Sequence, residues 1–260
     1  MKVDSLKLVS RFTENKNIIL SCGKELQVLE KQFNGHLIKL QVPENAPPEI
    51  SRIIIHGSNF ALGMGYNQFE LTVRPPKQIF NNFNDCMDFG FERVKSVLDT
   101  VSESIPDHEW LGVVSILNFP MPDADNGMAA AVPIFDHLLT VNRKKRELAS
   151  FQVQFGYRES GKNILYTISG YDEHEIMISV NADFKKNAVL QKKAEINKPV
   201  LIDLAQHPIT ETGIRVIIDI NNKPSENSGK MIDDFYAILE NQKEVYLKLP
   251  QEVNLDGVLQ

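Results

Sequence analysis

Cysteine is scarce in this chain: two in 260 residues, Cys22 and Cys86. So widely separated a pair makes neither a disulfide framework nor a metal-ligand spacing, and both read as reduced thiols. Tryptophan occurs once, at Trp110, and reads as a core anchor rather than a binding platform. No stretch approaches the ~20 apolar residues of a membrane-spanning helix, and the run Ile53-Ile54-Ile55 is strand-sized. The opening Met1-Lys2-Val3-Asp4-Ser5-Leu6-Lys7 lacks the apolar stretch of a signal peptide. These absences predict a cytoplasmic protein, bacterial in style, with no membrane association. Neither charge dominates, with Lys+Arg 28 against Asp+Glu 34 and a net charge of -6. That balance disfavours nucleic acid as a partner.

Catalytic signatures are also missing. Gly156-Tyr157-Arg158-Glu159-Ser160-Gly161-Lys162-Asn163 nearly fits a phosphate-binding loop. However, Asn163 stands where a hydroxyl is needed, and the alternating Ile164–Ile168 follows where a helix N-terminus should be. Gly63-Met64-Gly65 lacks the third glycine of a dinucleotide fingerprint and reads as a turn between strands. Asp123–Gly127 opens like a calcium loop, but its Gly comes one position early and Ile134 replaces the closing Glu. None of the six histidines forms an H-x-x-x-H pair, and no G-x-S-x-G elbow occurs. The densest polar cluster is Asp172, Glu173, His174 and Glu175. It has the residue types for metal binding or acid–base work, but a charged turn joining two strands explains it without either and is the favoured reading. These four are the candidate site; neither a bound metal nor a cofactor is expected.

What the sequence does contain is alternation. Phe151, Val153, Phe155 and Tyr157 interleave with Gln152, Gln154 and Arg158, and Ile164, Tyr166 and Ile168 with Thr167 and Ser169. Period-two spacing of this kind predicts antiparallel strands with one solvated face, here joined as a hairpin through Glu159–Lys162. Further strands are expected at 17–20, 26–29, 36–42, 52–56, 68–74, 111–117, 175–180, 200–204 and 214–220. Helical spacing appears from Asp85 to about Thr100, from Pro133 to Arg146, and from Ser228 through Leu239. Residues 185–198 fit either element. Arg143–Arg146, the one strongly basic run, reads as a solvated helix end.

The predicted fold is therefore α+β, with antiparallel β-sheets covered by about three helices. Two blocks share a layout of strand, strand, proline-containing exit and helix: one from Arg52 through Pro75-Pro76, the other from Val200 through Pro224. They suggest two similar halves, although strand–strand–helix is common enough in this class to arise independently. The halves are residues 1–106, with a helix near 85–101, and 107–260, with helices near 133–146 and 228–241.

Three stretches, Leu111–Asn118, Phe151–Gly170 and the Asp219-containing strand with its following helix, resemble a sporadically distributed family of uncharacterised bacterial proteins of similar length. The resemblance implies a gene carried on mobile or defence-related clusters and supplies no site residues. Two functional classes follow from the residues. One is a non-enzymatic binding or assembly protein holding a protein partner, or a homo-oligomer, at a sheet edge or groove. The other is an enzyme or small-molecule-binding protein with its site between the halves.

Overall fold

Alternation of apolar and polar residues gathers the described strands into one sheet. The computed structural model describes residues 2–80, 82–101, 104, 108–138, 148–159, 162–175 and 207–222. Among them run β1 (Lys2–Phe12), β2 (His36–Lys39), β3 (Ile53–His56), β4 (Phe60–Met64), β5 (Gln68–Val73), β6 (His108–Pro120), β7 (Gln152–Glu159), β8 (Lys162–His174) and β9 (Ile209–Asn222). Every neighbouring pair is antiparallel, in the order β2-β3-β4-β5-β1-β6-β9-β8-β7. The α+β expectation holds, and among the described residues the strands form one sheet.

The register explains why the sheet is continuous. One cross-strand row contains Leu37, Ile55, Leu62, Leu71, Leu8, Val113, Ile220, Ile164 and Tyr157, an apolar residue from every strand. Because strand side chains alternate between faces, such a row defines a core face. The helices α2 (Gly23–Gln32), α3 (Phe83–Val101) and α4 (Gly127–Leu138) pack on that face, and the short α1 (Ile18–Ser21) adds Ile18 to the same core. Leu6 lies under Gly90 of α3, where a Cβ would come within 2.8 Å of it. On the opposite face Val9, Val114, Ile116, Ile217, Leu165 and Asp219 are half-buried.

Chain order is not sheet order. β1 pairs with β5 on one side and β6 on the other, while β9 inserts between β6 and β8. Among the described residues, that insertion leaves β2 and β7 at the two edges.

Several expectations are corrected. Residues 18–20 and 26–29 are helical, in α1 and α2, with Asn17 the cap residue before α1, and none of them is in a strand. Cys22, Leu26 and Leu29 are buried while Val28 is exposed, the helical spacing that a four-residue window conceals. α4 begins at Gly127, six residues before Pro133, which therefore lies inside the helix and not in its first turn. Asn126 starts it: its side-chain oxygen accepts the Ala129 N–H at 2.9 Å. The Gly63-Met64 pair belongs to β4, an unforeseen strand that interrupts the first strand–strand–helix block. Trp110 is not a core anchor but lies half-exposed on the helix-free face, with the Arg11 guanidinium 5.5 Å from its ring. The strands expected at 175–180 (past Glu175) and 200–204, the segment 185–198, the run Arg143–Arg146 and the 228–241 helix lie outside the described residues. Among the described residues, no helix is long and apolar enough to cross a membrane.

Candidate functional site

The four candidate residues lie at the end of β8, as strand and strand exit, and not in a turn between strands. Strand alternation sends them to different jobs. Asp172 points to the helix face, where its Oδ1 accepts the Gly127 N–H and the Thr212 hydroxyl, each at 2.7 Å. It thereby anchors the first turn of α4. The fit is tight because Gly170 and Gly127 meet backbone to backbone: a Cβ on Gly170 would lie 2.1 Å from the Gly127 carbonyl oxygen. Glu173 points to the other face and accepts the Asn118 amide at 3.2 Å. The His174 Nδ1 lies 3.0 Å from the His207 carbonyl oxygen, and the Glu175 N–H donates to the Pro208 carbonyl at 3.1 Å. Among the described residues, no group of three or more His, Cys, Asp or Glu side chains converges as a metal site would.

A polar network that the linear scan missed crosses the helix-free face beside them. Arg215 donates from Nε to Asn118 at 3.0 Å and stacks over Tyr171, 5.1 Å from the ring centre. The Tyr171 hydroxyl, on a residue only 6% exposed, donates to Glu211 at 2.8 Å. Lys2, reaching across from β1, pairs with the second Glu211 oxygen. Burial, then the Glu211 carboxylate it donates to, push the Tyr171 phenol well above its usual range, so it stays protonated. This network stitches β1, β6, β8 and β9 together. It could not be read from sequence because its bonded partners lie up to 209 positions apart. Nearby, a cleft of about 370 Å³ opens between the β6–α4 link (Pro120, Pro122, Ala124, Asp125) and the start of β9 (Ile209–Thr212).

The two sheet edges differ in a way that bears on partners. β2 is four residues long, carries Lys39, and leads into a loop holding Pro43, Pro47 and Pro48. Shortness, lysine and nearby prolines are the ordinary protections of an edge strand. β7 has none of these. It is eight residues long, is paired to β8 without a bulge, and is uncharged from Gln152 to Tyr157. Three core-face rows run out on it at Val153, Phe155 and Tyr157. Phe155 is 46% and Tyr157 45% exposed, both stacked toward Tyr166 at centroid distances of 5.1 and 6.1 Å. α4 packs over β8 and β9. Among the described residues, no strand lies beyond β7.

Against known proteins, no family model matches this chain, and no curated protein matches it.

Proposed function

We propose that this chain is a non-enzymatic binding or assembly protein that takes a protein strand onto the exposed edge of β7. The observation that carries this reading is the combination on one strand of an edge with no neighbour among the described residues, an uncharged run from Gln152 to Tyr157 and two half-exposed aromatic rings. An added strand gains main-chain hydrogen bonds from the edge, and the rings supply side-chain contacts. The polar cluster supports the same reading from the negative side. Asp172 and Glu173 are occupied in holding α4 and Asn118, which is structural work.

The test is native mass spectrometry of the protein purified gently from its own cells, alongside the double variant Phe155→Lys, Tyr157→Lys. A bound protein chain in the wild type and none in the variant is the expected result. Equal retention by both places the partner elsewhere and overturns the reading. The second reading, a small-molecule-binding protein, rests on the cleft beside Glu211. A small-molecule mass carried by the monomer and lost on Thr210→Trp would transfer the function there.

A further inference from the structure

We infer that the partner taken up by β7 is a second copy of this chain, paired antiparallel across a two-fold axis at Gly156. The inference rests on the edge reading above and adds to it the identity and register of the occupant. A two-fold contact is self-complementary: if residue i meets j, then j meets i. Such a contact is favoured where the residues it brings opposite one another suit each other. Around Gly156 the two nearest pairs do so: Phe155 comes opposite Tyr157, and Gln154 opposite Arg158. The next pair, Val153 and Glu159, is not matched.

The geometry of the sheet permits this register. An axis normal to the sheet keeps the helix-bearing faces of both copies on one side, so only residues of the same face can stand opposite each other. Centring on Gly156 meets that condition. Phe155 then faces Tyr157 of the second copy on the helix side, twice over, and Gln154 faces Arg158 on the other. The strand carries one Arg and one Glu, and neither meets its own kind across the axis. Gly156 itself is exposed and puts no side chain on the axis, while β8 demands glycine there, since a Cβ would sit 2.9 Å from the Ile164 carbonyl oxygen. The apolar rows also continue in this register. The row Ile218–Tyr166–Phe155 passes to Tyr157 and Ile164 of the second copy, and the row Ile220–Ile164–Tyr157 passes to its Phe155 and Tyr166. The rings that end each row in solvent thereby become interior to a sheet spanning both chains.

Sedimentation of the purified full chain tests the occupant. Wild type is expected to show a concentration-dependent dimer, weakened at least about tenfold by Phe155→Lys, Tyr157→Lys or by Phe155→Glu, Tyr157→Glu. Mixing the two variants should restore a one-to-one dimer, which also establishes that each is folded. Register is tested by oxidation. Opposed residues in an antiparallel pair have Cα atoms about 4.5–5.5 Å apart, within disulfide reach. Gln154→Cys and Arg158→Cys together should therefore cross-link two chains, and neither alone should. Cys22 and Cys86 are buried and do not compete. A wild type that stays monomeric at every concentration overturns self-pairing. If that monomer nevertheless retains a different protein that the lysine variant loses, the edge reading stands without it; if the lysine variant retains that protein too, both fall. Cross-linking by either single cysteine variant as readily as by the pair overturns the Gly156 register.

Discussion

Two individual residues hold unusual positions for their chemistry. Arg52 is 7% exposed, and among the described residues no carboxylate pairs with it. Its guanidinium instead donates to the carbonyls of Ile50 at 2.8 Å, Ala46 at 3.3 Å, and Pro47 and Pro48 at 3.4 Å, and stacks on Tyr66 at 3.8 Å. A planar fork of fixed donors suits a ring of carbonyls, so Arg52 ties the proline-rich loop to β3. Arg52→Met keeps the bulk and removes the donors. Its expected cost is about 2–3 kcal/mol in chemical denaturation, with Arg52→Lys recovering part of it. Asp219 lies half-buried on the helix-free face; burial raises its pKa, and the Asn221 amide, at 3.0 Å, offsets the rise in part. A carboxyl whose folded pKa is raised binds protons more tightly in the folded state. Its favourable contribution is therefore complete below the unfolded pKa and is lost as pH rises through the folded one. Asp219→Asn should remove that loss and leave the chain at least as stable at pH 7, with a flatter stability profile between acid and neutral pH. A fall in stability at pH 7 would mean that the charge has a partner it depends on.

Among the elements, legibility followed locality. The β7–β8 hairpin was plain in the sequence because its alternation is unbroken and its turn is short. β1 was hidden because a bulge between Val3 and Ser5 shifts its phase and Ser10 stands where the core face would take an apolar residue. β4 was hidden because Ala61 and Gly63 replace the polar half of the alternation. The start of α4 was displaced because its anchor, Asp172, comes from a strand 45 positions later. That contact also separates a structural from a chemical role for the cluster. Asp172→Ala should lower stability by about 1 kcal/mol, as loss of a helix cap does, and leave partner retention unchanged. Loss of binding with stability intact would return Asp172 to the site.

For the whole molecule, the order of the sheet decides which surface is available, and that order was beyond local pattern. Alternation in residues 151–157 showed that one face is apolar, but not that β9 would insert between β6 and β8 and leave β7 outermost among the described strands. The α+β class was legible because it is a sum of local periodicities; the candidate edge was not, because it depends on pairing between distant strands. The central claim is that this edge is open in the isolated chain and closed by a partner. Hydrogen exchange of the amides from Gln152 to Glu159 tests it most directly. In dilute, monomeric protein the outward-pointing amides, every second residue of β7, should exchange rapidly while those bonded to β8 are slow. At high concentration or with partner bound, both sets should be slow. Uniform slow exchange in the dilute monomer would contradict the account, because it would mean that the chain already covers β7 itself.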